Sequence, residues 1–340
     1  TLLALDKVDV VEEYDAHNRL KKTNFPKSGG GDYQELTYTG SRVTNLRTRN
    51  NQNITTSYDA LGRVSARGGA ASESFAYNNL GKVTSHTLGS ETSTFTYNSL
   101  GWLLSEASTI GTVSYGYDAV GRRDTLTRPD SFAVTYDYDV TNALTAIKYS
   151  GTAIASFTYD NAGRRTAITR PNGVSTSYTY DGASRVTGLG QDLVSGTDLT
   201  ATFAYNGASQ LKTRTAASST YEPPFPSETV RTYGVNSLNQ MTNSVSSAGT
   251  LTITYDNNGN TTSDGVNTYT YDAENRLTGL SGGAGLTYDG QGRLYQVGST
   301  TRFLYDGVNM IGEYNTSNVI QRRYVHGPGT DEPLVWYEGS

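Results

Sequence analysis

A single short motif recurs along the whole chain of 340 residues: a tyrosine, then Asp or Asn, then a glycine three residues later. Clear copies begin at Tyr58, Tyr97, Tyr117 and Tyr288, related copies at Tyr14, Tyr77, Tyr138, Tyr159, Tyr180, Tyr205, Tyr255, Tyr271 and Tyr305, and degenerate copies at Tyr38, Val235 and Tyr324. The spacing is 19 to 21 residues between Tyr58 and Tyr180 and 16 to 19 residues after Tyr255. A period near 20 predicts a repeat architecture, which overrides the separate globular domains that length alone suggests.

Each position of the motif has a physical role. The segment before the tyrosine, as in 93–97, alternates large apolar with small polar residues and is typical of a half-buried strand. Asp or Asn opens a turn, glycine supplies a positive φ, and Arg with an aliphatic residue restarts a strand. One unit is therefore predicted to be a β-hairpin. The residues given this structural role are Tyr58, Asp59, Gly62, Arg63, Tyr97, Gly101, Tyr117, Asp118, Gly121, Arg122, Tyr159, Asp160, Gly163, Arg164, Tyr288, Asp289, Gly292 and Arg293.

Successive hairpins predict an all-β ribbon that forms a spiral or shell-like β-solenoid. Neighbouring tyrosines then lie about 10 Å apart, since each hairpin adds two strands. We expect Tyr97, Tyr117, Tyr138, Tyr159 and Tyr180 to line one face and stack on one another, and Asp and Arg of neighbouring turns to pair along an edge. With 26 tyrosines, 8 phenylalanines and 35% hydrophobic residues, the composition favours a single-layer sheet with a thin, partly wet core.

The repeat pattern divides the chain into stretches with different regularity. The proline-rich segment 221–226 cannot occupy a central strand and is expected to leave the sheet as a loop or extended arm. The stretches are a first hairpin with a loose connection at 27–31 (1–37), regular repeats (38–189), irregular repeats with the proline-rich insertion (190–254), shorter repeats (255–324) and a C-terminal segment (325–340).

The heptapeptide Tyr-Asp-x-x-Gly-Arg-Leu with a 20-residue period resembles the YD repeat of the RHS family, over roughly residues 10–325. The family includes bacterial RHS polymorphic toxins, C-type subunits of insecticidal toxin complexes and the animal teneurins. The stretch 322–334 resembles the entry to the RHS-associated core, so residues 325–340 are expected to begin a truncated core. The chain starts at Thr1 and is expected to be a fragment of a longer polypeptide.

The resemblance implies a shell that encloses a C-terminal toxin or acts as an extracellular display body. In toxin members the core ends in an Asp-Pro-x-Gly-Leu-like self-cleavage site, and this sequence contains no Asp-Pro dipeptide. We therefore expect neither the self-cleaving element nor the toxic payload here. The same resemblance favours a secreted or cell-surface protein of bacterial origin.

Composition excludes several classes of partner. A net charge of −5 predicts no general attraction to nucleic acid, and no apolar run reaches the ~20 residues of a membrane-spanning helix. Cysteine is absent, which excludes disulfides and thiolate metal sites. We predict no cofactor.

Residues that could support other chemistry are few. The three histidines, His17, His86 and His326, are widely separated, and solvated positions in turns or strands are favoured over a catalytic or metal cluster. The stretch 256–260 has oxygen ligands at calcium-loop spacing, but Thr261 and Asn267 replace the required glycine and glutamate, so a turn is favoured.

Adjacent carboxylates and tyrosines provide the remaining alternatives. Glu12 with Glu13, and Asp331 with Glu332, would point to opposite faces of a strand, which disfavours acid–base catalysis. Tyrosines exposed to solvent would favour sugar binding, whereas their pairing with apolar residues two positions earlier favours an internal ladder.

The sequence thus predicts a non-enzymatic scaffold, a section of a β-shell, whose partners are other segments of the same polypeptide or further copies of itself, and whose cargo would be a toxin domain. The alternatives are a surface adhesin that binds glycans and a subunit of an extracellular filament or tube. Sixteen hairpins give a ribbon of roughly 150 Å, which suffices for about one turn of a spiral. We therefore expect the isolated chain to be catalytically inert and to enclose nothing.

Overall fold

The computed structural model describes residues 10–26, 31–216, 230–329 and 331–339. These residues form β-strands joined by turns and include no helix, which confirms the all-β prediction. No helical segment in these ranges has the length and apolar character needed to cross a membrane. The predicted insertion at 221–226 and most of the loose connection at 27–31 lie outside the described residues.

Twenty strands form one continuous antiparallel sheet, in which each strand pairs with the next along the chain and the sheet does not close on itself. They are β1 (Val11–Tyr14), β2 (Leu20–Asn24), β3 (Tyr33–Thr39), β4 (Arg42–Arg47), β5 (Asn53–Tyr58), β6 (Val64–Gly69), β7 (Glu73–Tyr77), β8 (Val83–Leu88), β9 (Glu91–Tyr97), β10 (Leu103–Ser108), β11 (Gly111–Tyr117), β12 (Arg123–Thr127), β13 (Ala133–Tyr138), β14 (Leu144–Tyr149), β15 (Thr152–Tyr159), β16 (Arg165–Thr169), β17 (Ser175–Tyr180), β18 (Val186–Asp192), β19 (Leu199–Tyr205) and β20 (Leu211–Ala216).

Thirteen further strands follow in four smaller antiparallel sheets, made of β21–β23, β24–β25, β26–β27 and β28–β33. Their bounds are β21 (Thr232–Val235), β22 (Met241–Ser246), β23 (Gly249–Thr252), β24 (Thr254–Tyr255), β25 (Thr261–Ser263), β26 (Tyr269–Tyr271), β27 (Leu277–Leu280), β28 (Leu286–Tyr288), β29 (Leu294–Val297), β30 (Thr301–Asp306), β31 (Asn309–Asn315), β32 (Ile320–His326) and β33 (Pro333–Glu338).

The register is the same in one hairpin after another. In the β5–β6 hairpin, Tyr58 faces Val64 and Ser57 faces Ala66, so that one extra residue on β6 forms a β-bulge beside the tyrosine. The same shift occurs beside the motif tyrosine in most other hairpins, for example between Thr158 and Tyr159. Because a bulge bends and twists the strand that carries it, a bulge in each repeat favours a curved ribbon over a flat one.

One predicted repeat is misplaced. Tyr324, predicted to begin a degenerate copy, lies inside β32 opposite Trp336, away from any turn. The structure instead has a repeat-type turn after Tyr314, where the amide of Asn315 donates to the carbonyl of Val319. The sequence analysis missed this copy because Tyr314 follows the copy at Tyr305 by only nine residues, well short of the repeat period. Asn318 takes the glycine position and adopts the positive φ of 59° that the turn requires.

The sheet has an inner face that is buried and an outer face that is exposed. In β11, Val113 and Tyr115 are buried, whereas Thr112 and Ser114 are exposed. The inner-face side chains of β11–β16 share one hydrophobic core with residues of β29–β33. The expected thin, single-layer core is therefore wrong for this region, because the C-terminal strands supply a second layer.

The ribbon forms a spiral in which late repeats contact early ones. Asn50 contacts Asp256, which is 206 residues later, and Arg170 contacts Leu334, which is 164 residues later. We call β1–β20 the first winding and β24–β33 the second winding. The chain thus passes alongside itself. The prediction from its length, about one turn of a spiral, is therefore wrong.

Candidate functional site: the repeat turns and the contact between windings

Each tyrosine-aspartate turn is held by a local set of hydrogen bonds, as the turn after Tyr159 illustrates. One carboxylate oxygen of Asp160 accepts hydrogen bonds from the amides of Ala162 (2.9 Å) and Arg164 (3.0 Å). The backbone carbonyl of Asp160 accepts from the amide of Gly163 at 2.9 Å. These bonds span five residues, so the turn forms from its own sequence.

The turn glycines have the backbone conformation that the sequence predicts. The φ angles are 83° at Gly62, 89° at Gly121, 74° at Gly163 and 77° at Gly292, which confirms the prediction of positive φ. Ser184 occupies the same position in a later repeat at φ 62°. The turn therefore imposes the left-handed conformation even where a side chain makes it costly.

The arginine of the motif binds within its own turn and also reaches the next one. The Nε atom of Arg164 donates to Asp160 at 2.7 Å, and Nη1 donates to the backbone carbonyl of Asp181 at 3.0 Å. The predicted pairing of Asp and Arg between neighbouring turns is therefore wrong, because the neighbouring turn contributes a carbonyl and not a carboxylate. The hydrogen bonds from the Arg164 side chain and amide hold the pKa of Asp160 below its usual value.

The motif tyrosines line the inner face, half-buried, but they do not stack on one another. The Arg164 guanidinium lies over the ring of Tyr180 with its Cζ 4.8 Å from the ring centroid, and the same contact recurs between Arg122 and Tyr138. Trp102 takes the arginine position in one repeat and packs on Tyr117. Among the described residues no ring contact joins two of the five tyrosines expected to stack.

Tyrosine hydroxyls connect each repeat to the preceding one. The hydroxyl of Tyr159 donates to the backbone carbonyl of Leu144 at 2.8 Å, and that of Tyr180 donates to the carbonyl of Arg165 at 2.7 Å. The described residues contain twelve bonds of this type, made by Tyr38, Tyr58, Tyr77, Tyr97, Tyr117, Tyr138, Tyr159, Tyr180, Tyr205, Tyr255, Tyr288 and Tyr305. The tyrosine therefore acts as a clamp between hairpins, a role that the sequence analysis did not assign.

Along the tyrosine-aspartate turns of the second winding, polar groups make the contacts between the windings, beside a small apolar cluster of Ile54, Ala71 and Ala273. We call the ribbon edge made by the tyrosine-aspartate turns the turn edge, and the opposite edge, where one repeat joins the next, the far edge. On the far edge of the first winding, Asn50 donates to Asp256 at 2.9 Å and Arg67 forms an ion pair with Glu274. Both acceptors lie in turns of the second winding. The turn edge of the second winding thus docks on the far edge of the first.

A buried carboxylate joins the windings further along. Glu106, which is only 6% exposed, accepts from Gln291 at 2.9 Å and from Arg293 at 2.5 Å. Burial raises the pKa of Glu106 in spite of the adjacent guanidinium. Nearer the C-terminus the contact moves onto the inner face, where Arg123 pairs with Asp306.

The turn edge of the first winding exposes a row of aliphatic side chains. One side chain on each of five successive turns is 62% to 100% exposed: Leu61, Leu80, Leu100, Val120 and Val140. In the second winding, the position of Leu61 is occupied by Asn258, Glu274 and Gln291, which bind the first winding. The turns of the second winding that contact the first therefore carry polar side chains at this position, whereas Leu61, Leu80, Leu100 and Val120 occupy it on the first winding; Val140 lies one residue earlier in its turn.

The histidines that we considered for other chemistry do not come together. His86 contacts Glu73, and His326 contacts the carbonyl of Met310. The parts of the chain that the structure describes contain no group of three or more side chains suited to a metal ion. Residues 256–260, weighed as a calcium loop, form a repeat turn in which Asp256 accepts from Asn50 and Asn260.

The adjacent carboxylates have structural partners. Glu13 lies beside Lys22, and the Tyr14 hydroxyl donates to Glu12 at 2.6 Å. Glu332 forms an ion pair with Arg165 of the first winding at 2.6 Å. These carboxylates are therefore engaged in packing the ribbon.

Comparison with known proteins identifies the repeats. The family model for the teneurin YD-shell matches residues 6–132, and the model for the RHS repeat matches residues 138–175 and 159–191. A comparison with curated proteins found no match. The two models together match the first hairpin and the regular tyrosine-aspartate repeats.

Solved structures of insecticidal-toxin components have a similar fold. The crystal structure of TcdB2-TccC3-TEV is 17% identical, with a TM-score of 0.52, and the match covers 95% of this chain and 21% of that one. A crystal structure of TcdB2-TccC3 is 15% identical with a TM-score of 0.48 (95% and 23% covered), and the Tc holotoxin pore of Photorhabdus luminescens is 16% identical with a TM-score of 0.48 (94% and 20%). This chain thus spans about a fifth of the solved chains that it matches. The chain belongs to the RHS/YD-repeat family by its repeats, since the two models together match residues 6–132 and 138–191, just over half of the chain.

Proposed function

We propose that this chain is a non-enzymatic section of wall in an RHS/YD-repeat shell, and that a further winding or another copy of the chain covers the aliphatic row on its turn edge. The observation that carries the proposal is the contrast between the two windings. The second winding is docked by its turn edge on the first, whereas the turn edge of the first winding presents Leu61, Leu80 and Leu100 to solvent.

The row has the dimensions of a docking surface. At roughly 10 Å per hairpin, five turns extend over about 40 Å. Soluble monomers rarely expose a contiguous apolar surface of this size unless it binds something. The existing contact between windings has the same geometry, a turn edge against a far edge, so the far edge of a further winding is the natural occupant.

A filament or tube subunit is the second candidate, supported by a free far edge at the other end of the spiral. Val266, on the far edge of the second winding, is 75% exposed. The far edge of one copy and the turn edge of the next are different surfaces. Such a head-to-tail contact builds open fibres or rings, because the same contact repeats without closing a dimer.

No described feature favours the glycan-binding adhesin. Many of the motif tyrosines are half-buried beneath arginines, as Tyr180 is beneath Arg164, which makes those ring faces unavailable for stacking on a sugar. The non-enzymatic assignment is supported by the engagement of candidate catalytic groups in packing, as for Glu332 with Arg165.

The proposal extends to location and cargo: a secreted or cell-surface protein whose complete shell encloses or displays a further domain. It is supported by membership of the RHS/YD-repeat family and by the fold that the chain shares with TcdB2-TccC3-TEV. Within this chain, the inner face of β11–β16 is occupied by the second winding, so cargo would have to lie against other parts of the wall. Protease protection of a C-terminal domain in a longer polypeptide that contains this chain is the direct assay.

The test of the docking row compares two triple variants by analytical ultracentrifugation and electron microscopy. We expect the chain to associate with rising concentration, and the Leu61→Ser, Leu80→Ser, Leu100→Ser variant to stay monomeric. The control carries Val194→Ser, Val230→Ser and Val308→Ser, three exposed aliphatic residues outside the row, and should associate like the unmodified chain.

A second measurement covers the case in which the occupant is another winding of the same polypeptide. Hydroxyl-radical footprinting should oxidise the row leucines in this chain alone and leave them protected in a longer polypeptide that contains it. Equal association of both triple variants, together with unprotected leucines in the longer polypeptide, would refute the docking role. Hydrolysis of any substrate by the purified chain would refute the non-enzymatic assignment.

A further inference from the structure

A cavity between the two windings contains a buried arginine that lacks an acidic partner. The cavity has a volume of about 240 Å³ and is lined by β12–β14 of the first winding and by β31–β32 and residues 306, 327 and 328 of the second. Because a water occupies about 30 Å³ of liquid, this space would hold about eight waters or one small organic molecule. It forms only when the windings are docked.

Arg128 is the cationic group in this cavity. It is 3% exposed, and its Nη2 atom donates to the backbone carbonyl of Tyr324, while Nε and Nη1 are buried without a hydrogen-bond partner among the described residues. Nε carries one N–H and Nη1 carries two, so three of the five donors of the guanidinium are unused. The guanidinium lies over the ring of Phe132, with its Cζ 5.0 Å from the centroid, but no carboxylate is hydrogen-bonded to it. A buried charge without an anionic partner is costly, and burial lowers the pKa of Arg128 to about 10.

The nearest acidic groups are already paired. Asp130, two residues from Arg128, accepts from the Nε atom of Arg323 at 2.6 Å. Asp306, which lines the same cavity, is bound to Arg123. With two arginines and one aspartate on its walls, the cavity carries one uncompensated positive charge. That balance fits a singly charged anion better than a doubly charged phosphate.

A second polar group in the cavity is also unpartnered. The Nε2 atom of His326 lies 2.8 Å from the carbonyl of Met310 and donates to it, whereas Nδ1 is buried without a partner in the described parts of the chain. In this tautomer Nδ1 carries a lone pair, so it can accept from a water or a ligand hydroxyl but cannot bind a carboxylate; His326 lies in the cavity as a reporter of its contents. The other walls are largely aliphatic and aromatic: Leu126, Val134, Tyr136, Leu144, Ile311 and Val325.

We propose that this cavity binds a small monocarboxylate with a short aliphatic tail, whose carboxylate pairs with Arg128 while the tail lies against the aliphatic walls. Such a ligand satisfies the unused N–H donors and fills apolar space that water fills poorly. Since both windings line the site, the bound ligand would also hold the second winding on the first.

The chain contains a matched control for Arg128. Arg170 follows β16 in the same Thr-Arg-Pro context and donates to the carbonyl of Leu334, at 3.1 Å, as Arg128 does to that of Tyr324. Arg170 does not line this cavity; it lines a separate pocket between the windings, with Leu334 and Trp336. Replacing either arginine removes a contact between windings, and only replacement of Arg128 removes the proposed anion partner.

The test is a titration with butyrate, followed through the imidazole NMR signals of the three histidines. We expect a saturable shift of the His326 signal alone, with signals assigned by His326→Gln, and no shift with n-butanol or butylamine. Arg128→Gln should weaken butyrate binding by about tenfold or more, as expected for loss of a charge-assisted hydrogen bond. Arg170→Gln should leave the affinity within about twofold.

Two further arms keep the test decisive. If circular dichroism shows that Arg128→Gln is unfolded, the wild-type titration against the butanol and butylamine controls decides, together with Arg128→Lys. A short peptide with a free C-terminal valine replaces butyrate in the other arm, and binding of that peptide alone would identify a polypeptide C-terminus as the source of the carboxylate. Absence of a His326 shift with both probes, or equal shifts with butyrate and butanol, would overturn the proposal.

Discussion

The tyrosine clamp gives a prediction whose size follows from the structure. In Tyr159→Phe the ring stays and only the hydroxyl is lost, together with its 2.8 Å hydrogen bond to the carbonyl of Leu144. A neutral hydrogen bond of this kind contributes about 1 kcal/mol net. Tyr159→Ala also removes the ring from the inner face, and large-to-small changes of this type cost about 3 kcal/mol. The difference of about 2 kcal/mol is the contribution of ring packing.

Hydrogen exchange is the appropriate assay, because a repeat array is stabilised mainly by neighbouring repeats and need not unfold in two states. A loss of about 1 kcal/mol corresponds to roughly fivefold faster exchange. We expect this acceleration for the amides of β14–β16 in Tyr159→Phe, and little change in distant β5–β6.

Tyr149→Phe is the matched control, because the hydroxyl of Tyr149 has no hydrogen-bond partner within the described ranges. Its ring stacks on Phe132 with centroids 4.2 Å apart, and this contact is retained in phenylalanine. The control should change stability by less than about 0.5 kcal/mol. Wild-type protection in Tyr159→Phe, or equal losses in both variants, would refute the clamp.

Three further outcomes are expected. In urea unfolding, Gly163→Ala should lower the free energy of unfolding by about 1 kcal/mol, because φ at Gly163 is 74°. Gly121→Ala should lower it further, because the added Cβ would also lie 2.7 Å from the Trp102 ring. Equal losses in the two variants would contradict the steric argument. Folding lowers the pKa of Asp160, so the stabilisation by its carboxylate is complete above the unfolded pKa near 4 and disappears as pH falls through the folded pKa. On acid titration, the free energy of unfolding should therefore fall less steeply in Asp160→Asn than in wild type. In thermal unfolding, Glu106→Ala should lower the stability by about 3 kcal/mol, because it removes the buried carboxylate that pairs with Arg293 between the windings. Glu338→Ala, which removes a 60%-exposed carboxylate, should have little effect.

The hairpins are predictable from sequence because their determinants are local. Asp160 and Gly163 interact within five residues, and the turn fixes the register of the strands on either side. The copy after Tyr314 was missed because it follows the copy at Tyr305 by only nine residues and so breaks the period on which the sequence analysis relied. The clamp and the arginine–tyrosine contact were missed because they join side chains of neighbouring hairpins, whose relative placement depends on bulge geometry.

The sequence alone determined that this chain is an antiparallel ribbon of tyrosine-aspartate hairpins, because each turn and each alternating strand is encoded within about 20 residues. Only the tertiary structure decided which repeats meet. Arg128 and Arg170 share one local context, yet the first is buried in the cavity and the second lies outside it. The difference arises from curvature, since a small twist at each strand accumulates over twenty strands before the ribbon meets itself. No local pattern specifies where that meeting occurs.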